Sequence, residues 1–157
     1  MAAVILLIGP SSDAAAQRTD PAAARGARAF ASEALGGTVG SALGIAIGLA
    51  VARPNDCPSD DDVVCPLQKL GITAIIGVTG ATIGTVAAGR WAGAKPSVAG
   101  AFLGAAAGAA AGIGLEHLIT EEMGRSLGNA GTIVLFSVTQ GIVAAAGSLI
   151  GARLRSN

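Results

Sequence analysis

Aromatic and charged side chains are scarce in this chain of 157 residues. Tyrosine is absent, aromatic residues make up 3% and charged residues 13%, whereas about a quarter of the residues in a soluble domain are charged. Ten basic side chains are balanced by ten acidic ones, which argues against nucleic-acid binding, because affinity for phosphates requires a surplus of Lys and Arg. With 52% hydrophobic residues and a positive mean hydropathy, the composition favours a membrane protein.

The residue patterns of catalytic and metal sites are missing as well. We find no phosphate-binding loop, no paired carboxylates in an apolar segment and no Gly-x-Ser-x-Gly in a strand–turn–helix context. The only cluster with metal-binding atoms is Glu116, His117, Glu121 and Glu122, in which His117 and Glu121 share a helical face. Two ligands do not make a site. We therefore interpret the cluster as a solvated helix end, and predict no enzyme activity, metal, cofactor or identifiable small-molecule substrate.

Both cysteines, Cys57 and Cys65, lie in one polar segment, NDCPSDDDVVCP. Their spacing is too long for Cys-x-x-Cys redox chemistry, and zinc would need two further ligands. A local disulfide fits better, and closing a loop of about nine residues would stabilise the fold by roughly 2.5 kcal/mol in an oxidising compartment. The alternative is two free thiols in a cytoplasmic loop.

Four long apolar segments without charged residues dominate the rest of the chain. Each has 17 to 23 residues, and a helix of that length measures about 25 to 35 Å, close to the thickness of the hydrocarbon layer. The segments are 36–52, 70–89, 97–115 and 130–152. They predict an all-α fold, a four-helix transmembrane bundle over 36–155.

Two further segments precede this domain. Residues 1–17 combine a short apolar run with a small-residue stretch, which is typical of a truncated signal peptide, although a basic start is missing; the alternative is a hydrophobic tail. Residues 18–35 predict a helical lead-in that begins at Pro21. Its Arg25, Arg28 and Ser32 share one face, which suits either an amphipathic helix at a membrane surface or a solvated extension.

Glycines recur every four residues within the apolar segments. Complete tetrads occur in the first and third segments, and partial ones occur in the second, where Ala81 and Ala88 continue the spacing, and in the fourth. Positions four apart form one stripe along a helix. The helix-packing residues predicted in this way are Gly36, Gly40, Gly44, Gly48, Gly77, Gly84, Gly100, Gly104, Gly108, Gly112, Gly147 and Gly151.

Close helix packing explains why these glycines are present. Glycine costs about 1 kcal/mol against alanine inside a helix, whereas small-xxx-small stripes let helix backbones approach in a bilayer. We expect Leu at Gly104 or Gly108 to disrupt the fold more than Leu at Ala105 or Ala109. In residues 43–51, large apolar side chains alternate with Ala and Gly, which is the period of a strand in a transmembrane barrel. A barrel is disfavoured, because the chain is too short for many strands and lacks an aromatic girdle.

Through its two glycine tetrads, the chain resembles the glycine-zipper class of small bacterial membrane proteins. In architecture alone it is similar to the Tim17/22/23 group of four-helix translocase subunits, which also have small-residue stripes and a disulfide between loop cysteines. The sequence signature of that group is not found here, so its transport function is not carried over. The first resemblance implies a helix-packing role in a bacterial membrane.

Charge alternates in sign along the connections. Residues 53–69 contain two basic and four acidic side chains, 90–96 contain two basic ones, and 116–129 contain three acidic ones and one arginine. The positive-inside rule then predicts an inner-membrane protein with cytoplasmic N- and C-termini and the cysteine loop outside. A cleaved signal peptide would conflict with this topology, and the alternative location is the outer membrane or the periplasmic face.

We expect a structural or assembly protein of the bacterial cell envelope, with membrane lipid around it and a homo-oligomer or another membrane protein as its partner. The rival is a pore or transport component, whose path would be lined by polar side chains of the second and fourth segments. An ionisable residue within an apolar segment would favour this rival, and none is present. The candidate path residues are Thr73, Thr79, Thr82, Thr85 and Gln140, whereas Ser137 and Thr139 belong with Gln140 to the hydrogen-bonding interpretation.

Overall fold

A computed structural model describes residues 21–52, 64–122 and 128–156, with the backbone alone for 64–70, 122 and 129. This part of the chain forms four α-helices, and each contains a stretch long and apolar enough to cross a membrane. The helices are α1 Pro21–Val51, α2 Val64–Trp91, α3 Val98–Glu122 and α4 Gly128–Ser156. The predicted all-α four-helix bundle is confirmed.

The short turn between α2 and α3 is determined by local chemistry. Gly93 adopts a φ of +77°, a conformation that suits glycine. The Gly93 N–H donates to Arg90 O at 3.0 Å and the Ala94 N–H to Gly89 O at 2.8 Å, which is the Schellman arrangement that ends a helix. Ser97 then caps α3, since its Oγ accepts the Gly100 N–H at 3.2 Å.

Each helix runs antiparallel to the next and packs against it. α1 contacts α2 and α4, and α3 contacts α4 and α2, while α1 and α3 do not touch in the described part of the chain. α2 and α4 meet across the short diagonal of the bundle. This arrangement makes three helices, α1, α2 and α4, share one interior region.

Small residues form the core, and large apolar side chains face outward. The central cluster contains Val78 with Ala81, Ala105 and Ala144. Large aliphatic side chains such as Leu43 and Ile75 are more than half exposed. This inside-out distribution is expected in lipid, where a large apolar side chain gains nothing by leaving the surface.

The boundary predicted between residues 35 and 36 is not visible as a break, because α1 runs without interruption from Pro21 to Val51. Its buried residues begin at Glu33, which is fully buried. The four apolar segments contain no ionisable residue, but the interior of the bundle does, because Glu33 precedes the first segment by three residues and is buried with it. The predicted signal-peptide segment 1–17 lies outside the described residues.

Candidate functional site

The glycines of the first apolar segment lie on α1 and pack against α2. A Cβ placed on Gly40 would overlap the carbonyl oxygen of Gly80, and one on Gly80 would overlap that of Gly40. Further along α1, a Cβ on Gly44 would lie 2.5 Å from Ile76 O, and one on Gly48 would lie 2.8 Å from the Cα of Thr73. Gly36 is placed in the same way against Gly84. The backbones of α1 and α2 therefore approach each other where only glycine fits.

The third-segment glycines lie in the same way along α4. A Cβ on Gly104 would lie 2.9 Å from the Cα of Ala144, and one on Gly108 would lie 2.7 Å from the Cα of Gln140. Gly100 faces Gly147 in a reciprocal pair. At the two ends of this contact, a Cβ on Gly151 would meet Ser97 and one on Gly112 would meet Phe136.

The stripe pattern missed other close contacts. A Cβ on Gly77 would meet Ile45 and Gln140, although the Cα of Gly77 also lies 3.0 Å from a Cβ built on Gly44. Gly80, which was not predicted, lies between Gly84 and Ile76 in the contact with α1. Gly37 and Gly141 bring α1 close to α4, since a Cβ on Gly37 would lie 2.9 Å from the Cα of Gly141. The adjacent glycines Gly36 and Gly37 were the available signal, because neighbouring positions on a helix face different partners.

The bundle also buries a set of polar side chains. Its largest fully buried side chains are Gln140 and Glu33, followed by three hydroxyl residues. Burying a polar group is costly unless it is hydrogen-bonded, so each needs a partner. The buried polar set is Glu33, Ser41, Thr82, Thr85, Ser97, Ser137, Gln140 and Ser148.

Gln140 finds its partner across the α1–α4 contact. The Ser41 hydroxyl donates a short hydrogen bond to Gln140 Oε1. Thr82 and Thr139 instead bond to backbone carbonyls of their own helices, Thr139 at 2.9 Å from Leu135 O. Of the predicted path residues, Thr79 is exposed and Thr73 packs at Gly48. The candidates are therefore distributed over several faces instead of lining one path.

Glu33 carries a fully buried carboxyl group that makes no hydrogen bond of good geometry. Its side chain lies where Gly89 of α2 has no side chain: a Cβ on Gly89 would lie 2.6 Å from Oε1 and 3.0 Å from Cδ. The Ser148 hydroxyl of α4 lies beside the carboxyl group, yet neither carboxyl oxygen has a hydrogen-bond partner of good geometry. Thr85 and Ser137 also have buried hydroxyl oxygens without a partner. Such groups in a native protein call for water or an ion.

The acidic end of the bundle has ordinary surface chemistry. The Thr132 hydroxyl donates to Glu116 Oε1 at 3.0 Å, which joins α4 to α3. His117 Nε2 lies 3.1 Å from Glu121 Oε2, and both side chains are about two thirds exposed. Among the described residues, no group of three or more potential ligands surrounds a metal position.

The predicted Cys57–Cys65 disulfide stays a prediction. Cys57 lies outside the described residues, and only the backbone of Cys65 is described, within the first turn of α2. Comparison of the chain with protein-family models, curated proteins and solved structures finds no match.

Proposed function

We propose that this chain is a structural or assembly protein of the bacterial envelope, a rigid transmembrane unit built by backbone contact. The observation that carries the proposal is the reciprocal glycine contact of α1 with α2 and of α3 with α4. Direct backbone packing provides dispersion and weak Cα–H···O contacts over the whole contact length. A bundle held in this way is suited to holding other components in place.

The outer surface supports an assembly role. Most helices present large aliphatic side chains to lipid, but the middle of α3 presents only alanines, Ala106, Ala107, Ala110 and Ala111, all exposed. Small side chains let another helix approach closely in a bilayer. The helix that approaches α3 belongs to a second copy or to another membrane protein.

Cysteine crosslinking in native membranes tests this assembly. In a chain whose Cys57 and Cys65 are replaced by serine, single cysteines at Ala107 and Ala110 are expected to crosslink at wild-type expression. The matched control is Ile75→Cys on the exposed face of α2, where the side chain is 68% exposed. The mass of the product distinguishes a dimer of this chain from a complex with a different protein.

The proposal is abandoned if neither α3 position gives a product, or if the α2 control crosslinks equally well. Equal crosslinking at both faces indicates random collision in the membrane. Each cysteine variant is first compared with the parent chain by its melting temperature in detergent, so that an unfolded variant is not counted.

A second candidate function is a transport component. It is favoured by one observation: a fully buried carboxyl group, Glu33, inside a membrane-spanning bundle. Ionisable groups in such positions are rare and commonly belong to ion or proton pathways. Buried, unpartnered Thr85 and Ser137 hydroxyls are consistent with this candidate. The two functions differ in whether the Glu33 carboxyl group binds and releases a proton or an ion during the protein's activity.

For the location, we propose the inner membrane with both termini in the cytoplasm. Six of the seven described basic residues lie at one end of the bundle, where α1 begins and α2 and α4 end, and Lys69, near the start of α2, lies toward the other end. Glu116, His117 and Glu121 lie at the other. This distribution is the one expected when the basic end faces the cytoplasm. The outer membrane or periplasmic face remains the alternative.

A further inference from the structure

A buried carboxyl group with no partner cannot remain as a bare charge in the bundle. Transfer of an isolated carboxylate out of water costs far more than a folded protein can offset. Neither oxygen of Glu33 has a hydrogen-bond partner of good geometry, the Ser148 hydroxyl lies beside the group, and the side chain is fully buried. Something that neutralises the group therefore accompanies it.

We propose that Glu33, Ser148 and Thr85 form a binding site for one small monovalent cation, a proton or an alkali-metal ion, between α1, α2 and α4. The site goes beyond the assembly function, because helix packing by itself requires no ion. It would be present whether or not the chain forms oligomers.

Three helices supply the oxygen atoms. On α2, the missing side chain of Gly89 makes room for the Glu33 carboxyl group. Thr85 lies one turn away on the same helix, and its Oγ1 faces Gly37, which is one turn from Glu33 on α1. The hydroxyl and the carboxyl group therefore belong to consecutive turns of the same α1–α2 contact, and the oxygens of both are buried there without a hydrogen bond of good geometry.

Ser148 completes the site from α4. Its Oγ accepts the Ser97 N–H at 3.3 Å, which leaves the hydroxyl proton and a second lone pair available. An alkali-metal ion takes hydroxyl and carboxylate oxygens as ligands, and a protonated carboxyl group takes the same oxygens as hydrogen-bond partners.

The surrounding charges limit the occupant to a single positive charge. The helices packed against Glu33 carry five arginines at the same end of the bundle, and all five are exposed. In the described part of the chain, none of them forms an ion pair with Glu33. They are Arg25, Arg28, Arg90, Arg153 and Arg155. One carboxylate near a basic surface balances one monovalent cation, whereas a divalent ion would leave an excess charge buried.

A membrane-soluble carbodiimide, dicyclohexylcarbodiimide, provides the test on the full chain in phosphatidylcholine vesicles. The carboxyl proton moves to a carbodiimide nitrogen and the carboxyl oxygen adds to the central carbon. The adduct rearranges to a stable N-acylurea that retains all reagent atoms. We expect mass spectrometry to locate this addition at Glu33 in the wild type and to find none in Glu33→Gln.

A matched control and two salt conditions identify the occupant. Glu116→Gln removes a carboxyl group at the opposite end of the bundle, so labelling of Glu33 is expected to stay at the wild-type level. If sodium or lithium chloride suppresses labelling about tenfold relative to choline chloride, the occupant is an alkali-metal ion. Equal labelling in these salts identifies a proton.

A second measurement, the melting temperature, does not depend on access of the carbodiimide to Glu33. A cation that binds only the folded chain raises its melting temperature, so sodium or protons are expected to stabilise the wild type more than Glu33→Gln. The proposal is overturned if Glu33 reacts only after unfolding in dodecyl sulfate and if sodium and pH affect the melting temperatures of both chains equally. If sodium suppresses labelling of Glu33 in Thr85→Val and Ser148→Ala as strongly as in the wild type, the two hydroxyl groups are not ligands of an alkali-metal ion.

Discussion

At the scale of single residues, the bundle interior depends on pairs in which one helix lacks a side chain and its neighbour fills the space. Gly89 and Glu33 form such a pair, and Gly77 lies in the same way beside Ile45 and Gln140. By contrast, a Cβ added to Gly26, Gly71 or Gly114 would have no neighbour within 4 Å. A glycine in these helices therefore has a packing role only where a second helix lies against it.

The Ser41–Gln140 hydrogen bond gives a prediction at this scale. In a double-mutant cycle of Ser41→Ala and Gln140→Leu, we expect a coupling of about 0.6 kcal/mol, the average for such bonds between membrane helices, and at most about 1.7 kcal/mol. Unfolding in mixed detergent measures it, and each single variant is expected to be destabilised by its unpaired partner. A cycle of Thr79→Ala with Gln140→Leu is the control, because Thr79 is exposed and bonds its own helix. Additive effects in the first cycle would contradict the contact.

At the scale of the helix, α1 presents two different faces at adjacent positions. Gly36 and Gly40 contact α2, while Glu33, Gly37 and Ser41 face the region shared with α4. Positions four apart form a stripe, and the stripe one residue further points to another neighbour. One helix can therefore hold two partners with residues that are adjacent in the sequence.

Leucine substitutions along α3 test whether this helix packs closely on α4. We expect Gly108→Leu to prevent folding or to cost about 3 kcal/mol, the upper range for overpacking, because a Cβ there would already lie 2.7 Å from the Cα of Gln140. Gly114→Leu is the matched control, since this glycine of α3 is exposed and a Cβ on it would have no neighbour within 4 Å. Thermal unfolding in detergent measures both.

The expectation that leucine at Gly104 or Gly108 disrupts the fold more than leucine at Ala105 or Ala109 stays a prediction, but the two alanines do not lie away from the helix contacts. Ala105 is fully buried in the central cluster, and Ala109 packs against that cluster, so leucine at either residue also meets neighbouring helices. Similar melting temperatures for Gly108→Leu and Gly114→Leu would count against close packing of α3 on α4.

At the scale of the whole molecule, charge separates the two ends of the bundle. Arg90, Lys95 and Arg153 lie at the end that contains the α2–α3 turn, and Glu116 and Glu121 lie at the opposite end. The antiparallel order of the helices brings these distant sequence positions together. Such asymmetry favours one orientation in a membrane.

Thiol labelling of intact spheroplasts tests the orientation. With the basic end in the cytoplasm, Cys57 and Cys65 face outward, and we expect a membrane-impermeant maleimide to modify both only after reduction of their disulfide. A single cysteine at Lys95 in a chain without the native cysteines is the control, and it is expected to react only after permeabilisation. Reaction of the native cysteines without reductant, and only in permeabilised cells, would reverse the proposed topology.

The sequence by itself determined the features that depend on local chemistry. Apolar length, the absence of charge in four segments and the proline and glycine breaks were enough to predict four helices, because hydrogen bonding and hydropathy act within each segment. The spacing of Gly100 and Gly104 likewise indicated a face of α3 that another helix could approach.

The tertiary structure decided which surfaces meet. Neither the pairing of Gly40 with Gly80 nor the α1–α4 approach at Gly37 and Gly141 follows from a stripe on one helix, because each needs the register of a second helix. Glu33 is the clearest case: on its own helix it is a single acid among alanines, which predicts exposure. It is buried because Gly89 and Ser148, distant in sequence, cover it from two other helices.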